Sequence, residues 1–214
     1  MSERQSGHYA RLEGLDGVGK SKQMMLAQQY SDEHNLHALF IREPGGTSLG
    51  VDIRHLLLTN KEHDLSPVVE FRLFTADRVH LQNTVTLPAL EQGRPVISDR
   101  GVESTIAYQP AGGGISKEMI MNVSSQLLVP RYMKPDGLAI LSLNEVVRQK
   151  RLKDRFVATV ADKIELRDDG YTKRVYDAYK ELENLDYAQV VDADRSPEEI
   201  FEDLKPILFG KFAQ

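Results

Sequence analysis

Short apolar runs alternate along the chain with longer stretches whose hydrophobic positions recur every three or four residues. The runs at Tyr9–Glu13, His37–Arg42, Pro95–Asp99, Gly137–Leu143 and Gln189–Asp192 predict strands. Val96-Ile97 and Leu138-Ala139-Ile140-Leu141 are continuous apolar runs, as expected of parallel strands covered on both faces. Helical periodicity falls at 20–31, 47–59, 67–91, 103–109, 116–129, 144–152, 170–184 and 197–208. The last of these has a clear start, with Ser196 as N-cap, Pro197 in the first helical position and Glu199 completing a capping box. Short strands separated by longer helical stretches predict an α/β fold of three layers, a parallel five-stranded sheet flanked by helices. Residues 153–169 are dense in charge and poor in periodicity, and read as a weakly structured excursion; residues 1–7 read as a tail.

Composition narrows the picture. A length of 214 residues suits one compact domain across 1–214 with a small lid, placed at 148–169. With 41% hydrophobic and 28% charged residues the chain reads as a soluble globular protein, and it holds no apolar run near the ~20 residues that span a bilayer. The formal charge of −5 disfavours a sequence-independent nucleic-acid binder, which needs a basic field. The absence of cysteine excludes disulfides, thiolate metal sites and a cysteine nucleophile. The start, Met1 to His8, lacks the apolar core of a signal peptide, so a cytoplasmic protein with no membrane partner is expected.

One segment carries strong chemistry. Gly14-Leu15-Asp16-Gly17-Val18-Gly19-Lys20-Ser21 follows the first strand, opens the first helix and matches G-x-x-x-x-G-K-[ST] in full. Glycines let consecutive N–H groups turn around phosphate oxygens, and the helix N-terminus adds its positive end. Lys20 is a point charge for the β and γ phosphates, and the Ser21 hydroxyl a ligand for Mg²⁺. ATP with Mg²⁺ is the expected donor. A phosphate loop alone leaves kinase, GTPase, motor and regulatory ATPase open.

Further segments fall at the carboxyl ends of the strands, where parallel α/β sheets bind ligands. They are Arg42-Glu43-Pro44-Gly45-Gly46-Thr47, Phe71-Arg72-Leu73-Phe74-Thr75-Ala76-Asp77-Arg78, Asp99-Arg100 and Ser104-Thr105-Ile106-Ala107-Tyr108-Gln109. Arg42, Arg78 and Arg100 would converge on a cleft beside the triphosphate, with Phe74 and Tyr108 as flat walls for a base. Asp99, ending an apolar strand, could hold the Mg²⁺ shell. Each has a plainer alternative. Phe71 reads as core, Arg42 and Arg72 also fit solvent-facing ion pairs, and Tyr108 also fits simple packing.

In order and spacing these segments resemble the thymidylate kinases, closely over residues 14–109 and loosely beyond. That resemblance implies transfer of the γ-phosphoryl of ATP to dTMP, giving dTDP and ADP, by a homodimer. It places Asp16 on the 3′-hydroxyl, Phe74 on the thymine ring, Arg78 on a base carbonyl and Arg100 on the acceptor phosphate. Thr105 and Gln109 would line the base pocket, and Tyr108 would sit where a 2′-hydroxyl clashes. Arg148, Lys150, Arg151, Lys153 and Arg155 form a basic run where the family's lid closes over ATP. With Gly17 where some members carry a catalytic arginine, the resemblance passes that role to Arg151 or Arg155, and Asp154-Arg155-Phe156 favours Arg155. Val191-Asp192-Ala193 resembles the loop beside the adenine.

Three departures stand out. Gly101 replaces an aromatic after the Asp-Arg pair, Lys22 replaces a threonine, and two extra residues precede Gly112-Gly113-Gly114. Gly101 predicts a roomier base pocket, so a broader deoxynucleoside monophosphate kinase is a second reading. A non-catalytic nucleotide switch is a third; Asn60-Lys61-Glu62-His63 lacks the aspartate of a guanine-reading motif.

Overall fold

The computed structural model describes residues 6–59, 64–156 and 169–213, side chains at 155, 156 and 169 excepted. Five parallel strands form one sheet in the order β2-β3-β1-β4-β5: β1 (Tyr9–Glu13), β2 (Leu39–Arg42), β3 (Val96–Asp99), β4 (Gly137–Ser142) and β5 (Ala188–Asp192). The three inner strands bury almost every residue, which explains their continuous apolar runs. Register aligns the strand ends that matter, with Leu12 and Arg42 each opposite Asp99 and Glu13 opposite Ile140.

Helices α1 (Lys20–Glu33) and α10 (Pro197–Phe209) pack on each other and on the sheet. A second group comprises α2 (Ser48–Leu58), α3 (Pro67–Leu81), α4 (Leu87–Glu91), α5 (Val102–Ala111), α6 (Lys117–Leu127), α7 (Pro130–Met133), α8 (Glu145–Phe156) and α9 (Asp169–Leu182). In it α5 packs against α3, α6 and α9. The main core joins Leu12, Ile97, Leu138 and Ile140 of the sheet to Tyr30, Tyr179, Leu204 and Phe209 of the helices.

Local sequence rules hold at the helix starts. Ser196 Oγ accepts from Glu199 N–H and the Glu199 carboxylate accepts from Ser196 N–H, the expected capping box. The stretch 67–91, expected as one helix, is broken by a π-helical turn at Gln82–Thr86. Pro88 follows with no N–H to give, and the wider turn absorbs that missing bond. The short α7 was not expected. The charged excursion is corrected at its start, because α8 runs on to Phe156; residues 157–168 lie outside the described residues. The expected tail is corrected at its end: Gly7 N–H donates to Leu90 O at 2.9 Å, so Gly7 is anchored to α4.

Candidate active site

The phosphate loop joins β1 to α1. Gly14, Gly17 and Gly19 have φ of +136°, +88° and +105°, values that glycine alone adopts readily. Leu15 and Val18 point into the core, so their side chains anchor the loop and only their backbone serves the cradle. Lys20 Nζ donates to Gly14 O at 2.7 Å and Leu15 O at 2.9 Å, and lies 4.0 Å from Asp16 Oδ1. Burial, reinforced by the Arg100 charge, lowers the Lys20 ammonium to about 8. Ser21 is exposed in the first turn of α1.

Beside the loop a half-open cleft of about 590 Å³, counted to its mouth, is lined by Asp16, Phe74, Arg78, Arg100, Thr105, Tyr108 and Gln109 among others. All seven were expected there from sequence. The Asp16 carboxylate organises one end: Arg100 Nη2 donates to Oδ1 at 2.5 Å and Tyr108 OH to Oδ2 at 2.9 Å. Arg100 Nη1 reaches Ser104 Oγ at 2.9 Å and Tyr179 OH at 3.1 Å. Its φ of +76° is the left-handed region, an unfavourable backbone for arginine, stabilised where Ser98 Oγ donates to its carbonyl at 2.7 Å. Phe74 packs with Ile53, Leu57 and Leu58 at the cleft's other wall, while Phe71 is core, as read. Gln109 Oε1 is buried with no hydrogen-bond partner.

Arg78 is buried and doubly held, with Nε 2.5 Å from Glu43 Oε2 and Nη2 2.9 Å from Gly101 O. Tyr132 OH donates to the other Glu43 oxygen. The roomier pocket expected from Gly101 is corrected here. A Cβ on Gly101 would lie 2.4 Å from Arg11 Cδ, so the buried Arg11 side chain fills that space. Arg11 in turn pairs with Glu103 at 3.0 Å and donates to Tyr132 O and Met133 O. The glycine therefore accommodates an arginine from β1 and does not enlarge the base site.

Arg42 is also corrected. It lies outside the cleft lining, half-exposed, with Nε 3.1 Å from Asp99 Oδ2, as their register positions dictate. Arg72 is solvent-exposed. Asp99 Oδ1 is buried and unpartnered. On α8, Arg151 Nη1 donates to Ala193 O at 3.2 Å, which ties it to the loop after β5. The Arg155 side chain lies outside the described residues.

Sequence reasoning passed over several contributors. Buried Glu13 accepts from Gly101 N–H (2.7 Å), Ser104 N–H (3.1 Å) and Tyr179 OH (2.9 Å), and so holds the start of α5 against β1. Its place just before the phosphate loop was the available signal. Tyr179 had none, being one of three tyrosines in a charged helix. Glu43, Arg54 and Ser104 also line the cleft.

The sequence profile of the thymidylate kinase family matches residues 12–204. A thymidylate kinase of Symbiobacterium thermophilum is 35% identical over 204 residues, covering 94% of this chain and 92% of its own. One from Clavibacter michiganensis subsp. michiganensis is 36% identical over 197 residues, covering 91% of each. The crystal structure of thymidylate kinase from Ehrlichia chaffeensis superposes with a TM-score of 0.71 at 26% identity, covering 93% of this chain and 96% of that one. The match runs over most of the chain in sequence and in fold, and the chain belongs to the thymidylate kinase family.

Proposed function

We propose that the chain transfers the γ-phosphoryl group of ATP to dTMP, giving ADP and dTDP. The observation that carries this reading is the Asp16–Arg100 contact, which joins the triphosphate loop to the cation of a neighbouring nucleotide-sized cleft. The acceptor phosphate is already an anionic nucleophile at neutral pH, so no general base is required. Catalysis is positioning plus charge stabilisation, with Lys20 and the loop amides on the donor and Arg100 on the acceptor. Phe74 offers the base a flat apolar face, Arg78 a donor fixed by Glu43, and the unpartnered Gln109 Oε1 an acceptor for a base N–H. Thr105 shapes the same wall, and Tyr108, held by Asp16, stands beside the sugar.

The residues present fit a magnesium ion that arrives with the nucleotide. Among the described residues no cluster of three or more acidic or imidazole ligands forms a closed metal centre. Ser21 supplies an exposed hydroxyl, and Asp99 a buried carboxylate oxygen without a partner. When bound, the ion neutralises phosphate charge; Ser21 and Asp99 would hold it and its water shell.

Homodimer formation is part of the proposal, supported by exposed Leu49 and Val51 on α2 and Val68 and Val69 on the adjoining α3. A cytoplasmic location is part of the same proposal. The decisive assay is coupled ADP release with Mg·ATP and dTMP, dUMP, dGMP, dCMP or dAMP. Turnover confined to dTMP, and more weakly dUMP, is expected; comparable turnover on several bases would refute the base-pocket assignment.

A further inference from the structure

We propose that Arg148 is a positioning residue for phosphoryl transfer, tying α8 to the main chain of Asp16 and through it to the acceptor arginine. Arg148 is buried, and Glu145, one turn earlier, holds it from two sides. Nε lies 2.7 Å from Glu145 Oε2 and Nη2 2.6 Å from Oε1, a bidentate pair that fixes the guanidinium plane. The remaining nitrogen, Nη1, donates to Asp16 O at 3.0 Å. One turn further along the same face, Leu152 meets the next loop residue: a Cβ on Gly17 would lie 2.9 Å from Leu152 Cγ. Helix α8 therefore grips the phosphate loop at two consecutive positions, and at Gly17 the positive φ and the close approach of Leu152 both exclude a side chain.

The gripped residue is the one whose carboxylate holds Arg100 and Tyr108. Glu145, Arg148, Asp16 and Arg100 thus form a continuous polar relay from α8 to the acceptor cleft. Arg148 does not line that cleft, so it acts through Asp16 and not on substrate. Two effects follow. Fixing the Asp16 backbone fixes the aim of its carboxylate, and misplacements near 1 Å at such contacts cost rate steeply. A cationic donor on the Asp16 carbonyl also polarises the Asp16–Gly17 peptide, which strengthens the Gly17 N–H as a phosphate donor. The basic run from Arg148 to Arg155 accordingly divides by geometry: Arg148 faces the loop, and Arg151 faces Ala193.

Steady-state and single-turnover kinetics of Arg148→Ala, Arg148→Lys and Glu145→Gln, with Asp16→Asn as a second background, test this. Arg148→Ala should lower kcat/KM for dTMP about tenfold or more, and Arg148→Lys should recover part of it. In the Asp16→Asn background the same substitution should cost the single-turnover rate clearly less than it does with Asp16 present, because the carboxylate it positions is gone and only the polarised Asp16–Gly17 peptide remains. A lowered Tm with unchanged kcat/KM would make Arg148 a structural strut and overturn the proposal. So would an undiminished effect in the Asp16→Asn background. A loss of about a thousandfold in kcat with KM for dTMP unchanged would place Arg148 on the transferring group instead, and equally overturn it. Should Arg148→Ala fail to fold, Glu145→Gln loosens the pair without emptying the site. A drop of a few-fold in kcat/KM for dTMP is then expected, and no drop counts against the proposal.

Discussion

Arg100 and Asp16 meet at 2.5 Å although 84 residues separate them in the chain. The contact joins the end of β3 to the phosphate loop, so the cation for the acceptor and the cradle for the donor share one rigid frame. Arg100→Ala is expected to raise KM for dTMP about 10–100-fold while KM for ATP stays within about threefold. Initial-rate measurements varying each substrate check this; equal changes in both constants would contradict the acceptor role.

Lys20 is held near pKa 8 by burial and by Arg100. Above that pH it loses the proton its role requires. The pH profile of kcat/KM for ATP should therefore fall on an alkaline limb near 8, and the limb should move upward in kcat, since bound phosphates favour the charged form. Lys20→Ala should lower turnover by orders of magnitude with the circular-dichroism spectrum unchanged.

Asp77 sits behind the cleft with Oδ2 buried and unpartnered. Burial, helped by the nearby Glu43 charge, raises its carboxyl from 3.8 to about 6. Between those values the folded state holds more protons than the unfolded, so this group's contribution to stability falls as pH rises through that window and stays low above it. Asp77→Asn should thus stabilise the protein at pH 8 by roughly 1–2 kcal/mol, with little gain near pH 4. Urea titrations at the two pH values would show it.

Gly101 has no room for a side chain, with Arg11 2.4 Å from the place of its Cβ. Gly101→Ala is expected to cost about 1–3 kcal/mol of stability by overpacking. It should leave the preference among the five monophosphates unchanged, because the glycine does not line the cleft. A broadened base range in thermally intact Gly101→Ala protein would argue otherwise.

Arg151 rests on Ala193 O at 3.2 Å and lies 3.8 Å from Asp194. Arg151→Ala should therefore raise KM for ATP several-fold with a small effect on kcat, whereas Arg155→Ala should lower kcat chiefly. Reversed effects would exchange the two roles.

How much was legible from sequence follows from the range of each signal. Strand and helix boundaries came within two residues at most ends, because inner-strand apolar runs and caps such as Ser196 with Glu199 are local features. Pro88 hid the π-helical turn, since a proline mid-helix announces a disturbance without naming its form. The seven cleft residues were legible because they sit in compact motifs at strand ends. Arg42 stayed open between the cleft and a solvent-facing ion pair because its motif gave its location but not its partner, and strand register set it on Asp99.

By itself the sequence determined the strands of the sheet, the phosphate loop and seven of the residues that line the cleft, since periodicity and short motifs encode those within a few residues. Only the tertiary structure decided how these residues are wired. Arg11 taking the space beside Gly101, Tyr179 and Glu13 bracing the start of α5, and Arg148 reaching the Asp16 carbonyl are contacts between residues 75 to 166 positions apart or set by which helix face turns inward. Packing brings such pairs together to satisfy buried charge and fill volume, and no local pattern records the partner.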